Sequence, residues 1–217
     1  MGCLSLLFWL LCAGYASGQI SVDELASRIQ AQYDKTSDLK AHFIQESTLK
    51  TTKTTEREEG TVYFKKPKKM LWNYTKPQAK KLVINPQTAW LYVPEDNTVY
   101  VQDSKKIFSS GQAIRFLAGI GHLKDEFKIE FAHPEQDKDG NYVLEMFPIK
   151  GPESIGGVRK LIVTVDKSKY TIIKCAFNDS LGNISVINFL DIKTNVGLAD
   201  SLFNFKAPPG VDVQKID

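Results

Sequence analysis

The fold of this chain is decided by the sequence GTVYFKKPKKMLWNYTKP at residues 60–77, together with TAWLYVP at residues 88–94. Apolar side chains recur here at every second position, and lysine pairs and prolines interrupt them. Val62 and Phe64 therefore share one face of a strand, and Trp72 lies on an apolar face of the next strand. The pattern predicts short strands with one continuous apolar face, which either closes a core or lines a site for an apolar ligand.

On both sides of this stretch, the same alternation continues through most of the chain. Short alternating runs are bounded by Gly, Pro, Asn, Asp or charged clusters, which is typical of strands joined by tight turns. The economical arrangement is a single antiparallel sheet that curls into an incomplete barrel, because an open flat sheet would leave long unpaired edges. Eleven strands are predicted, at about residues 39–49, 57–65, 69–75, 80–85, 88–93, 97–102, 126–132, 141–148, 158–166, 170–178 and 184–194.

Two segments have helical rather than strand periodicity. Ser21 and Glu24 form a capping box at the start of an amphipathic helix whose apolar stripe includes Leu25. Farther along, Ile114 and Leu117 fall at helical spacing between the sixth and seventh predicted strands. The sequence therefore predicts a mainly β protein with helices, an α+β fold in which the second helix covers the opening of the barrel as a lid.

The first 18 residues are apolar and end in a small-residue site before Gln19, which predicts a secretory signal peptide. Residues 19–217 are then expected to form one domain. That domain keeps one cysteine, Cys175, whose position in an alternating strand favours a small buried apolar residue over a reactive thiol.

Residues that could carry catalysis do not form a recognisable group. The three histidines, His42, His122 and His133, are far apart and match no zinc-binding motif. The chain also has no G-x-S-x-G elbow. No catalytic residue, metal site or cofactor is therefore predicted. The formal net charge of +3, together with core-like aromatic spacing, argues against nucleic-acid binding.

Taken together, several short motifs resemble the periplasmic outer-membrane lipoprotein carrier family, LolA. They are spread along almost the whole chain after the signal peptide. The matching residues are Phe43-Ile44-Gln45, Gly60, Lys65-Lys66-Pro67 followed by Trp72, Pro77, Trp90-Leu91-Tyr92 with Pro94, Phe203-Asn204-Phe205 and Pro208-Pro209-Gly210-Val211.

The resemblance implies a monomeric periplasmic chaperone that carries lipoproteins from the inner to the outer membrane and shields their acyl chains in an apolar cavity. It implies an inner-membrane lipoprotein-releasing transporter as donor and, where one is present, an outer-membrane acceptor. The residues expected to contact acyl chains are Val62, Phe64, Met70, Trp72 and Trp90 in the barrel, and Ile114 and Leu117 in the lid.

One departure from the family concerns the residue before the second-strand proline. The family commonly has an arginine there, which latches the lid to the barrel, whereas this chain has Lys66. A lysine cannot reproduce the forked donor set of arginine, so the latch is expected to be weaker or built differently.

Three other interpretations remain open from the sequence. The same cavity could belong to a lipid-binding or lipid-sensing module of this fold, or the barrel could be a filled structural domain. A periplasmic enzyme is a weaker third possibility. The lysine pairs at residues 65–66, 68–69, 80–81 and 105–106 could rim an opening and meet anionic lipid, or could simply keep loops and strand edges in water.

Overall fold

The structure, a computed structural model, describes residues 20–106, 122–155 and 157–216. The predicted signal peptide lies outside these residues, as do Ile114 and Leu117. The strands are β1 (Asp38–Thr48), β2 (Thr55–Lys65), β3 (Lys69–Lys76), β4 (Lys80–Ile84), β5 (Thr88–Val93), β6 (Thr98–Asp103), β7 (Phe127–Gln136), β8 (Tyr142–Pro148), β9 (Leu161–Val165), β10 (Ile172–Asn178), β11 (Ile184–Thr194) and β12 (Asp212–Lys215).

Helical segments in the described residues include α1 (Val22–Asp34), α2 (Leu123–Glu126) and 3-10 turns at Pro152–Ile155 and Asp200–Phe203, and residues 104–106 are helical as well. None of these described helices combines the length and the apolar character that crossing a bilayer would require.

All twelve strands belong to one open sheet, in the order β12-β6-β5-β4-β3-β2-β1-β11-β10-β9-β8-β7. The eleven predicted strands are present and pair antiparallel, which confirms the incomplete barrel. The structure has one strand more than the eleven predicted: β12, which pairs parallel to β6 at the edge of the sheet. All four residues of β12 are exposed, so no buried alternation marks it in the sequence.

Helix α1 begins where its capping residues predict. The Ser21 side chain accepts a hydrogen bond from the Glu24 backbone N–H at 3.2 Å, which satisfies one of the free donors of the first turn. Leu25, Ile29 and Tyr33 on one face of α1 are buried. They pack against apolar side chains of β7, β8, β9 and β10, so α1 covers that half of the sheet. We call the face of the sheet that bears α1 the inner face.

The inner face continues from β10 onto β11, because Cys175 lies directly opposite Ile187 across the two strands and paired residues point to the same face. Beyond β11 the inner face is formed by β1 to β5. Its buried side chains there form a second apolar cluster, separate from the one under α1.

The outer face of β2 to β5 carries residues 196–205, which we call the C-terminal strap. Leu198 and Phe203 of the strap pack against Leu71 and Val83. Buried Asp38, at the start of β1, accepts hydrogen bonds from the backbone N–H groups of residues 196, 197 and 198 at 2.7, 3.0 and 3.0 Å. One carboxylate therefore anchors the beginning of the strap.

Replacing Asp38 with alanine is expected to lower the free energy of unfolding by about 3 kcal/mol, because three backbone donors lose an ionised acceptor at once. Urea denaturation measures the change. The control is Asp96→Ala, an exposed position at which the same substitution should change stability by less than about 0.5 kcal/mol. Equal stability of the two variants would contradict an anchoring role for Asp38.

Candidate functional site

The second apolar cluster on the inner face is the candidate site. Its buried members all lie on strands, and we call them the apolar wall. They are Leu39, Ala41, Phe43, Val62, Phe64, Met70, Trp72, Ile84, Ala89 and Phe189.

The register of β2, β3 and β4 brings four predicted contact residues together in this wall. Val62 lies opposite Trp72, and Phe64 lies opposite Met70. Met70 in turn lies opposite Ile84 of β4. Because directly paired side chains are neighbours on one face, the alternation of β2 and β3 produces one continuous apolar surface.

Aromatic rings meet at the centre of the wall around Trp72. The ring centroids of Phe43 and Trp72 are 4.9 Å apart at an interplanar angle of 70°, and Phe64 approaches Trp72 edge-on at 5.8 Å. Phe189 of β11 lies 6.2 Å from the same indole. Edge-to-face contacts of this kind are favourable and fix the ring orientations, so the wall is a defined surface.

The sequence analysis missed Phe43 and Phe189 as members of the wall. Leu39, Ala41 and Phe43 alternate with other residues along the first strand, so the sequence already indicates that Phe43 lies on the apolar face of this strand. Phe189 is brought beside Phe43 by the β1–β11 pairing, which links residues too far apart in the chain for any local pattern to show.

Gly60 makes room for the Phe43 ring. A Cβ atom at residue 60 would lie 2.9 Å from Phe43 Cε1 and only 2.2 Å from the backbone oxygen of Asn73. The absence of a side chain at this position therefore allows β2 and β3 to pair closely beneath an aromatic ring.

Trp90, the fifth predicted barrel residue, is not brought to the wall. It lies opposite Val83 and belongs with the outer-face cluster, where its ring centroid is 6.4 Å from that of Phe205. Both faces of β3 to β5 are apolar because the C-terminal strap covers the outer one. The predicted contacts Ile114 and Leu117 lie outside the described residues.

Lys66 bonds to the end of helix α1. Its Nζ donates to the backbone oxygens of Tyr33 at 2.5 Å and Asp34 at 3.3 Å. These carbonyls belong to the last turn, where the helix dipole is negative and a cation is favourable. Lys66 therefore joins β2 to α1 in the structure, and its predicted contact with the lid stays a prediction.

Replacing Lys66 with methionine keeps the aliphatic stem and removes the ammonium group. We expect the free energy of unfolding to fall by about 1–2 kcal/mol, with faster amide exchange in the last turn of α1. The control is Lys68→Met, at an exposed lysine two residues away. If amide exchange in α1 is unchanged in Lys66→Met, the capping role is wrong.

Other members of the lysine pairs also have structural partners. Lys65 and Lys69 reach Asp200 of the strap at 2.7 and 2.9 Å, and these two ammonium groups hold the pKa of Asp200 below its ordinary value. Lys80 pairs with Glu58 and lies over the Tyr74 ring at 4.4 Å from its centroid. These three lysines are therefore part of the fold rather than a free basic rim.

Metal binding and thiol chemistry find no support in the described residues. Within residues 20–106, 122–155 and 157–216, no group of three or more His, Cys, Asp or Glu side chains could hold a metal ion. Burial raises the pKa of the Cys175 thiol to about 12, so the thiolate is scarce at neutral pH and Cys175 acts as an apolar packing residue.

Two surface pockets in the described part of the chain lie away from the wall. One, of about 380 Å³, lies between α1 and the start of α2 and includes Gln30 and Asp34 in its lining. The other, of about 390 Å³, is lined by Lys40, His42 and neighbouring residues of β1, β2 and β11. Polar and charged side chains line much of both, so neither resembles a site for a hydrocarbon chain.

An open, curved sheet with an apolar wall built from its strands defines a fold of the incomplete-barrel type. Residues 34–206 match the family model for the outer membrane lipoprotein carrier protein LolA. This chain belongs to that family, which is one of carriers and not of enzymes.

Individual relatives agree with the family match. An outer-membrane lipoprotein carrier protein from Methylococcus capsulatus is 28% identical over 204 residues, which cover 94% of this chain and 93% of the relative. One from Legionella pneumophila is 27% identical over 216 residues, which cover 99% and 100%. In fold alone, the chain is similar to an uncharacterized conserved protein from Thermus thermophilus, with a TM-score of 0.57 at 12% identity, covering 91% of this chain and all of that one.

Proposed function

We propose that this protein is a periplasmic chaperone that carries lipoproteins from the inner to the outer membrane and shields their acyl chains against the apolar wall. The observation that carries the proposal is the wall itself, whose described members all come from strands while α1 packs on the other half of the inner face. The membership in a lipoprotein carrier family supports the same conclusion.

The physical need for such a carrier is large. Moving an acyl chain from water to an apolar surface is favourable by about 0.8 kcal/mol per methylene, so a free lipoprotein would not leave a membrane unaided. A wall of aliphatic and aromatic side chains offers this environment without bonding to any particular head group. Val62, Phe64, Met70 and Trp72 are the proposed contacts, with Ile114 and Leu117 as proposed contacts from outside the described residues.

Several further parts of the proposal follow from this function. Residues 1–18 are removed as a signal peptide, and residues 19–217 act as a single monomeric domain. A lipoprotein-releasing transporter of the inner membrane supplies the cargo, and an outer-membrane acceptor, where present, receives it. Sequencing the amino terminus of protein recovered from the periplasm tests the processing site.

The test of the main proposal uses protein purified from the periplasm of expressing cells. Mass spectrometry should find lipid or lipoprotein bound to it, and a fluorescent fatty acid should bind to the emptied protein. Spheroplasts should release newly made lipoproteins into the medium only when the protein is added. Lipid binding without release would instead favour a lipid-sensing module, and the absence of both would overturn the proposal in favour of a filled barrel.

A further inference from the structure

One end of the sheet carries exposed apolar side chains on three neighbouring loops. The β1–β2 hairpin turns at residues 49–54, the β10–β11 hairpin turns at residues 179–183, and residues 149–160 connect β8 to β9 at the same end. Four of the large apolar side chains that are exposed in the described residues lie there: Leu49, Ile149, Leu181 and Ile184.

The three loops are in contact with one another. The backbone N–H of Lys50 donates to Asn183 Oδ1 at 3.1 Å, which joins the two hairpins. A Cβ atom added at Gly157 would lie 2.9 Å from the Ser180 side chain, so the third loop lies against the second. From β1 to β8 the loops cross five adjacent strands, a width of roughly 20 Å at the usual strand spacing. We call this surface the hairpin tip.

Leu181 is held outward by a rigid turn. It is 76% exposed. Asp179 Oδ1 accepts hydrogen bonds from the backbone N–H groups of Leu181 and Asn183, both at 2.9 Å. The Asn183 side chain donates to Asp179 Oδ2 at 2.8 Å, and these bonds hold the pKa of Asp179 below its ordinary value. Gly182 adopts a φ of 82°, which suits glycine and closes the turn. The turn therefore holds residue 181 at the tip of the hairpin, where its side chain is exposed.

The charge around these apolar side chains is positive. The three loops carry five lysine and arginine residues against two acidic ones, Glu153 and Asp179, and one of the five, Lys160, pairs with Glu145 of β8 at 2.6 Å. Lys50, Lys53 and Arg159 are exposed. On the adjoining strands, Arg57 bridges Glu46 and Glu59 at 3.1 and 3.0 Å, and Lys76 also reaches Glu59 at 3.4 Å, so these two negative charges are balanced by two cations.

We propose that the hairpin tip is a docking surface for an anionic phospholipid membrane. Exposed leucine and isoleucine side chains enter the boundary between head groups and acyl chains, while the surrounding basic side chains meet lipid phosphates. The positive charge favours an anionic membrane over a second copy of the chain as the partner, because a symmetric dimer through this surface would bring two positive patches together. The surface is separate from the apolar wall and extends the proposed function by bringing the carrier to the membrane.

The test measures cosedimentation of periplasm-purified protein with sucrose-loaded vesicles. Vesicles of phosphatidylethanolamine and phosphatidylglycerol, in a ratio of roughly 3:1, should bind the protein, whereas pure phosphatidylcholine vesicles should bind it several-fold less because they lack anionic charge. Raising the salt to about 0.5 M should weaken the binding, because phosphate contacts are screened.

The double variant Leu49→Ser and Leu181→Ser should reduce the bound-to-free ratio by about tenfold or more. The single variant Leu202→Ser is the matched control: this leucine is also exposed but lies in the C-terminal strap, so its binding should stay within about twofold of the parent protein. Lys50→Glu with Lys53→Glu should lower binding to the anionic vesicles alone.

Three outcomes would overturn the docking surface. The first is that the parent protein does not cosediment with the vesicles. The second is that the Leu49→Ser, Leu181→Ser variant cosediments as well as the parent. The third is that the parent is a dimer in solution and this variant is a monomer. Binding of a fluorescent fatty acid in the absence of vesicles should be unchanged in the double variant. If the parent protein binds vesicles but no fluorescent fatty acid, the proposed carrier function is contradicted, whereas the proposed docking surface is not.

Discussion

Replacing Trp72 with alanine is expected to weaken binding of a fluorescent fatty acid by more than about tenfold, because the largest side chain of the apolar wall is lost from its centre. Trp72 contacts the rings of Phe43, Phe64 and Phe189, so its removal also leaves these rings without their shared partner. The free energy of unfolding should fall by about 3 kcal/mol, the usual range for a buried aromatic replaced by alanine. Fluorescence titration at a temperature where the variant stays folded separates the two effects.

The matched control for this prediction is Trp90→Ala. Trp90 lies two strands away on the outer face, where it packs near Phe205. Its removal should also lower stability, but fatty-acid affinity should remain within about twofold of the parent, since the outer face takes no part in the proposed binding. Equal losses of affinity in the two tryptophan variants would show that binding follows general stability, and the wall would then not be the site.

Replacing Gly60 with alanine is expected to lower the free energy of unfolding by about 3–4 kcal/mol, because the new methyl group has no room. It would lie 2.2 Å from the backbone oxygen of Asn73, and a backbone atom in a strand pair cannot turn aside as a flexible side chain can. The lower entropy of the unfolded alanine chain offsets only about 0.4–1 kcal/mol of this loss. Urea denaturation measures the difference.

Thr61→Ala is the control for the glycine variant. Thr61 follows Gly60 in β2 and points to the opposite face, where it is half-buried. Its replacement should change stability by less than about 1 kcal/mol. If Gly60→Ala were as stable as Thr61→Ala, the close approach of β3 to β2 at this position would be wrong.

Much of the architecture could be predicted from local sequence alone. The strands were readable because apolar alternation and turn residues coincide along the chain, and Ser21 with Glu24 marked the start of α1. β12 was not readable, because its four residues are exposed and nothing in the sequence shows that β6 is its partner.

The candidate site was only partly predictable, for a different physical reason. Alternation divides the side chains of a strand into two sets but does not say which set faces inward when both are apolar. In β3, Trp72 lies on the inner face while Leu71 lies under the C-terminal strap. In β5 the same ambiguity hides the outward position of Trp90, which follows from its pairing with Val83 and which Phe205, far away in the sequence, lies beside.

The lysine pairs show the same limit for charges. Lys65 and Lys69 look like solvated loop residues until Asp200 is placed between them, and the bond from Lys66 to a carbonyl in the last turn of α1 is not visible in the local sequence. Each partner is separated from its lysine by at least 30 residues. Local sequence therefore gives the sign of these charges but not their partners.

The anchoring of the strap by Asp38 has a consequence for the order in which the chain can fold. Residues near the two ends of the protein need each other: Leu39 pairs with Thr194, and Asp38 binds the backbone of residues 196–198. A ribosome-bound chain that has not yet released these late residues can pair β1 with β2 but cannot form the β1–β11 pairing or the Asp38 anchor, and contacts of such long sequence separation form slowly. Translation therefore runs nearly to its end before the two halves of the sheet can be joined, so the last residues synthesised control when the native state appears.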